Sequence, residues 1–259
     1  MAKKKITTVT TVTTITDVSA KEIYDGIIID RSGSMFSIWT STIDGANEYI
    51  NKAQRTARET GGKSFLSLSW FDDRHIDQYV NTPIAEVGQL SKTQYPPDGM
   101  TALNDAAARM IQALKTKLGD RASSDDVDVT ITIFTDGHEN KSTEFPGRGN
   151  SALATIIKDV QDRLKWTITY VGAGNQREVE YAGQMLGINA SNIAHYSANP
   201  IETTTTFRRM SDARDMKSKN FMSAASLKSN VGYFIQAPAP TPDPTKPTVD
   251  PTNKPAGNP

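Results

Sequence analysis

The chain has 259 residues, with 29 Lys plus Arg against 29 Asp plus Glu and no formal net charge. That balance excludes a dedicated nucleic-acid binder, which carries a basic excess. The absence of cysteine excludes disulfides, thiolate zinc sites, iron–sulfur clusters and cysteine nucleophiles. With only three histidines, His75, His138 and His195, a multi-histidine metal site is not expected.

The N-terminal Met-Ala-Lys-Lys-Lys-Ile-Thr-Thr has a basic flank but no apolar h-region, and no apolar run approaches the roughly 18 residues of a membrane span. The expected compartment is therefore the cytoplasm. Residues 6–16 place an apolar residue at every third position among threonines. That period fits neither a half-buried strand nor a helix. Residues 1–20 are read as a Thr-rich low-complexity arm, with a partner-binding arm as the sharper alternative.

From residue 21 onward strands and helices alternate. Residues 24–30 contain Ile27-Ile28-Ile29 and read as a strand buried on both faces. Ile43, Ala46, Ile50, Ala53 and Ala57 recur at helical spacing up to Gly61-Gly62. Residues 65–71 alternate as a strand, and Asp72-Asp73-Arg74 returns it as a hairpin through 76–80. A Pro96-Pro97-Asp98-Gly99 loop precedes a helix marked by Leu103, Ala107, Met110, Leu114 and Leu118. Residues 127–135 form the next strand, and Leu153, Ile156, Val160 and Leu164 the next helix. A strand over 166–171, a helix through Val179, Ala182 and Leu186, a short strand over 193–196 and a helix over about 201–228 follow. Residues 237–259 hold eight of the thirteen prolines and read as an extended tail. The expected organisation is an arm (1–20), one α/β domain (21–236) and a Pro-rich tail (237–259). Its sheet is doubly wound and mostly parallel with one antiparallel edge strand, and helices cover both faces.

In such sheets ligands bind beyond the carboxyl ends of the strands. There the chain places Asp30-Arg31-Ser32-Gly33-Ser34, then Gly99-Met100-Thr101, then Thr135-Asp136-Gly137-His138. Two carboxylates and three hydroxyls without thiolate suit a hard cation, which takes oxygen ligands. The expected metal residues are Asp30, Ser32, Ser34, Thr101 and Asp136. The expected ion is Mg²⁺, with Ca²⁺ or Mn²⁺ as alternatives, and one open position would take a partner's carboxylate. Met35, Phe36 and Trp39 are expected to flank that position. Thr101 could also cap the following helix, Asp105 could support the site or merely be a solvated first-turn acid, and His138 is read as a rim residue.

Asp30-x-Ser32-x-Ser34, Thr101 and Asp136-Gly137 resemble the metal-ion-dependent adhesion site of von Willebrand factor type A domains. The stretches around them, and Val171-Gly172-Ala173-Gly174-Asn175-Gln176, are similar to small intracellular A-domain proteins of bacteria and phages. The likeness covers about residues 22–228. It implies that Ser32, Ser34 and Thr101 are direct or near-direct ligands, that Asp30 and Asp136 act partly through water, and that a protein partner's Asp or Glu completes the shell. It also implies a non-enzymatic binding module, with a cytoplasmic adaptor as the expected form; the Thr-rich and Pro-rich arms leave as alternative a structural or virion-surface protein whose adhesive head they tether. An aspartyl-phosphate phosphatase would need a general acid where Ser32 stands, and a hydroxyl does not protonate a leaving group usefully at neutral pH. Gly62-Lys63-Ser64 and Gly172-x-Gly174 lack the remaining glycines of the nucleotide-binding loops they echo.

Overall fold

Ile27, Ile28 and Ile29 sit in the middle of β1 (Glu22–Asp30), every residue of which is buried. A strand buried on both faces belongs at the centre of a parallel sheet. β1 indeed pairs in parallel with both β2 (Lys63–Phe71) and β4 (Val127–Thr135). In the computed structural model, which describes residues 21–223 and 232–234, the six strands run in the order β3-β2-β1-β4-β5-β6. β5 (Thr167–Ala173) and β6 (Ile193–Tyr196) continue the parallel set. β3 (His75–Pro83) alone is antiparallel, because three residues separate it from β2 and a parallel crossover needs a dozen or more. The fold class is the expected one. The Thr-rich arm and the Pro-rich tail lie outside the described residues.

The pleat sends alternate β1 side chains to opposite cores. Ile27 and Ile29 join α1 (Trp39–Thr60) and α5 (Pro200–Met222) on one face. Tyr24 and Ile28 join α2 (Leu103–Leu118), α3 (Ser151–Asp162) and α4 (Gln176–Met185) on the other. A short segment beyond α5 packs back on it: Tyr233 donates to Met210 O at 3.2 Å and is itself buried.

Several boundaries differ from the sequence reading. α1 begins at Trp39, ahead of the Ile43 periodicity, because a short 3-10 turn over Gly33–Ser37 feeds directly into it. β3 runs past residue 80 to Pro83, through a register shift beside Asn81, whose φ is +46°. α5 ends at Met222, where Ser223 turns extended, and 224–228 lie outside the described residues.

α5 meets the sheet through charge as well as packing. Arg214 donates to Asp25 Oδ2 at 2.8 Å and to Ser64 Oγ at 2.6 Å, with both ionic partners almost fully buried. Lys217 reaches Asp128 and donates to Thr130 Oγ1 at 3.0 Å. Polar residues on the buried side of α5 blur its helical hydrophobic period.

α1 and α5 approach closely at Gly45. A Cβ there would lie 2.6 Å from the Phe207 ring, which is fully buried and packs 4.6 Å from Phe134. Alanine is favoured over glycine within a helix by about 1 kcal/mol, but forcing a methyl into a packed core costs about 1–3 kcal/mol. The clash wins. Gly45→Ala should lower the denaturation midpoint, as chemical unfolding would register; a rise in stability would show that the helices are free to part.

Candidate metal site at the strand ends

β1 delivers Asp30 to the carboxyl edge of the sheet, where it is wholly inaccessible to solvent. Arg31 N extends the ladder to Phe71 O at 2.7 Å, and the chain then leaves the sheet. Ser32 N donates back to Asp30 Oδ1 at 2.7 Å, an Asx-type turn that starts the Gly33–Ser37 segment. Met35 and Ile38, both fully buried, pin that segment to the core. Its hydroxyls stay together: Ser32 Oγ and Ser34 Oγ lie 3.1 Å apart.

β4 delivers the second carboxylate. Ser34 Oγ donates to Asp136 Oδ1 at 2.7 Å, joining the first loop to the second. Thr135, the last residue of β4, donates to Asp30 Oδ2 at 2.6 Å and accepts from Gly137 N at 3.0 Å. The sequence reading did not single out Thr135. Its position at the strand end, directly before Asp136, was the available signal.

The third loop is braced from both sides. Asp98 N donates to Arg31 O at 2.8 Å, Gly33 N to Gly99 O at 3.2 Å and Ala102 N to Asp72 O at 2.8 Å. Thr101 and Asn140 exchange bonds: Thr101 N donates to Asn140 Oδ1 at 2.9 Å, and Asn140 N to Thr101 O at 3.0 Å. Asn140 was likewise not foreseen, since nothing local marks a partner thirty-nine residues away.

These loops converge on Gly137. A Cβ built there would have Thr101 Oγ1 at 3.4 Å, with Asp30 Oδ2 and Ser34 Oγ at 3.7 Å, as its nearest neighbours. The absent side chain leaves a small volume on the loop after β4 faced by oxygens from the two other loops. Ser32 and Asp136 are tied to the same cluster through Ser34. The structure therefore brings together all five residues that the sequence singled out.

Thr101 does not cap α2. The N-cap is Ala102, without a side-chain hydrogen bond. Capping comes instead from the loop after β4: Glu139 Oε2 accepts from Asn104 N at 2.9 Å and Ser142 Oγ from Asp105 N at 3.0 Å. The Thr101 hydroxyl is left for the cluster. Asp105, half-buried in the first turn of α2, braces the loop after β4: it accepts from Thr143 N at 2.8 Å and Phe145 N at 2.9 Å. Although burial opposes ionisation there, those backbone bonds hold its carboxyl below the usual range. His138 is exposed, as a rim residue would be. The expected apolar rim needs correction. Met35 and Trp39 are buried, the former anchoring the turn and the latter packing on Trp70, so only Phe36 of the three projects, 79% exposed. Met100, 47% exposed, stands next to Thr101 as an unforeseen apolar neighbour.

Both carboxylates are costly to ionise. Burial pushes Asp30 up to about 6, only partly offset by hydrogen bonds from Thr135 and Ser32. Burial also raises Asp136, against the bond from Ser34. No group of three or more His, Cys, Asp or Glu that could hold a metal exists among the described residues. Any ion here would be held largely by hydroxyls. Oxygen donors of low formal charge around a small void suit a hard divalent cation that retains water.

The vWF domain of the type V pili tip protein Mfa5 from Porphyromonas gingivalis matches 76% of this chain and 96% of its own, at TM-score 0.53 and 11% identity. The fold is that of a von Willebrand factor type A domain. The D319A mutant of the PilB minor pilin from Streptococcus sanguinis matches 80% of this chain at TM-score 0.55 and 13% identity. The pilus adhesin SpaC from Lactobacillus rhamnosus GG, in its open conformation, matches 79% at TM-score 0.56 and 10% identity. The chain spans only 64% of that PilB and 30% of SpaC. At such identities the likeness establishes the A-domain fold alone. No protein-family profile matches the sequence, and no curated protein does.

A raised folded-state pKa means that the native protein binds a proton more tightly than the unfolded chain does. Stability from this group is complete below its unfolded pKa and is lost as pH rises through about 6. In EDTA, Asp30→Asn should therefore melt higher than wild type at pH 7, by an amount worth about 1–3 kcal/mol. The gap should close near pH 4. Asparagine can keep its carbonyl on Ser32 N and turn its amide to Thr135 Oγ1, whose proton has Gly137 O at 3.2 Å. Paired thermal melts across that pH range decide the matter; a variant less stable at every pH would refute the burial argument.

Proposed function

We propose that this chain is a non-enzymatic protein-binding module in which Asp30, Ser32, Ser34, Thr101 and Asp136 hold one divalent cation, Mg²⁺ before Ca²⁺ or Mn²⁺. Through that site it recognises an Asp or Glu side chain of a protein partner. The observation that carries this reading is the convergence of Thr101 Oγ1, Asp30 Oδ2 and Ser34 Oγ on the void at Gly137. When bound, the cation supplies positive charge and an exchangeable position for a carboxylate. The residues do the rest. Thr135 and Ser32 N fix the Asp30 carboxyl, Ser34 bridges to Asp136, and Asn140 holds the Thr101 backbone in register.

The same contacts speak against covalent catalysis. Asp30 is inaccessible to solvent and each of its oxygens already accepts a hydrogen bond, so it is not presented as a nucleophile. The structural neighbours include a pilus adhesin, a minor pilin and a pilus tip protein. They favour a second form of the proposal, in which the A domain is an adhesive head rather than a cytoplasmic adaptor. Whether the chain partitions with purified particles or with free cytosol separates the two.

Gly137→Ala places a methyl group at ordinary contact distance from the three oxygens, so the fold should survive while the void is filled. Calorimetric titration with Mg²⁺ should show binding weakened by roughly tenfold or more, about 1.4 kcal/mol. The Ser32→Ala, Ser34→Ala double variant should behave alike. Undiminished binding by both would sink the assignment. Affinity capture in Mg²⁺ and in EDTA tests the partner: its retention should vanish on chelation and fall in Thr101→Ala without loss of thermal stability. If capture survives EDTA while the melting temperature drops, the cluster only staples the loops.

A further inference from the structure

β3 is the outer strand of the sheet, with β2 on one side and, among the described residues, no backbone hydrogen bond on the other. None of its nine residues is buried, whereas every residue of β1 is. The opposite edge is protected: β6 has only four residues, and Tyr233 N donates to Asn192 Oδ1 at 3.0 Å beside its start. An open strand edge is a template for a further strand, and proteins blunt it with short strands, lysines, proline or bulges. The defences of β3 are slight. It carries one carboxylate, Asp77, no lysine, a proline only as its last residue, and two slips in its register against β2. On its α2 side a cavity of about 190 Å³ lies between Ser67, Ser69, Asp77, Val80, Arg109 and Met110, and Val80 is 58% exposed.

Residues 6–16 are eleven consecutive β-branched residues, Ile, Val and Thr only, without charge, proline or glycine. Such side chains are stiff at χ1, which disfavours helix and suits a pleated surface. Their three-residue period does not fit a strand with one buried face, but it does fit an edge. Successive strand side chains point to opposite faces, so Ile6 and Val12 would share one face and Val9 and Ile15 the other. Each face would be mostly threonine, whose methyl and hydroxyl match a flank that mixes serines with Val80 and Met110.

The chain is long enough to deliver that segment. Glu22 is level with Lys63, and Pro83 with Phe65, so β1 begins at the sheet edge where β3 ends. A strand outside β3 stands three spacings from β1, about 14 Å. The eight steps from Thr13 to Lys21 span up to about 26–29 Å. Residues 6–13 remain, eight against the nine of β3. They would run parallel to β3, and Lys3-Lys4-Lys5 would fall beside the Asp72-Asp73-Arg74 turn, where Asp73 is exposed. A short connection also raises the local concentration of such a segment to roughly the millimolar range.

We propose that residues 6–13 of the same chain dock on the outer side of β3 as a seventh, parallel strand. The docking does not depend on the strand-end cation site.

Amide hydrogen exchange of the full chain tests this, at two protein concentrations, in wild type and in a Val9→Pro, Val12→Pro variant. Proline lacks the donor that a ladder needs. The outward-facing amides of β3 should exchange about tenfold faster in the variant. Amides bonded between β1 and β2 should stay as protected as in wild type, which shows that the domain remains folded. Equal exchange of the β3 amides in the two proteins overturns the proposal. So does protection of β3 that grows with protein concentration, which assigns the docked arm to a second copy instead.

Discussion

A carboxylate buried at the end of the central strand is the constraint around which the strand-end loops are arranged. Asp30 emerges from β1 between β2 and β4 with no solvent contact, so each of its oxygens needs a donor. One donor comes from the turn that follows, through Ser32 N, and one from the neighbouring strand, through Thr135 Oγ1. These two bonds fix where the first loop leaves the sheet and how close β4's end must lie. The third loop is then located by backbone bonds to the first two, through Arg31 O, Gly99 O and the Thr101–Asn140 pair. Arg31 itself turns inward to Asp72 at 2.6 Å, and that buried pair holds the β2–β3 turn against the same edge. Against burial, the bonds from Arg74 and Arg31 keep the Asp72 carboxyl below its usual range. Oxygens that would repel or drift apart on free loops are thereby held in place before any ligand arrives, which is the condition for a precise site.

The same strand carries a second buried carboxylate, Asp25, solved differently. Arg214 of α5 neutralises it directly, and Ser64 accepts from the same guanidinium. Burying such a pair seldom adds net stability, because desolvation offsets the attraction. What it does supply is uniqueness of register, since α5 shifted by one residue would strand both charges. Asp25 is a structural charge with a built-in counterion. Asp30 is met by hydrogen bonds alone, from Ser32 N and Thr135 Oγ1.

The legible part of this molecule was its local chemistry. Consecutive isoleucines, the short Asp72-Asp73-Arg74 connection and helical spacing between strands are enough to give the sheet and its one antiparallel edge. The five cluster residues were legible because they sit directly after strands or at a helix entry, where topology alone brings them to one edge. What escaped the sequence depends on distant segments. Glu139 and Asn140 serve α2 and Thr101 across the gap between two loops, and no periodicity announces that. Met35 and Trp39 looked like a docking rim because exposure cannot be read from an apolar residue in a turn; the way the 3-10 turn points Met35 into the core and leads Trp39 into α1 decides it. α5 was blurred because its buried side carries Arg214 and Ser218 among Phe207 and Met210.

The division between buried and exposed side chains around the cluster bears on how such a surface would discriminate partners. A single charged contact orients a partner but cannot by itself separate one acidic segment from another, because every exposed Asp or Glu offers the same group. Discrimination must come from neighbouring area. Here the apolar residues that project are Phe36 and Met100 beside the cluster and Tyr181 and Met185 on α4. They stand on separate elements, the 3-10 turn, the loop before α2, and α4, and the first two are braced by the bonds that hold the oxygens. A rigid polar centre with apolar side chains around it separates the two tasks, as binding surfaces with a few dominant contacts do. On the proposed function, the centre would set orientation through charge, and the surrounding shape would set which sequence fits. Substitutions at Phe36, Met100 or Tyr181 would then change partner choice without touching the hydrogen-bonded core of the site, because their exposed side chains take no part in it.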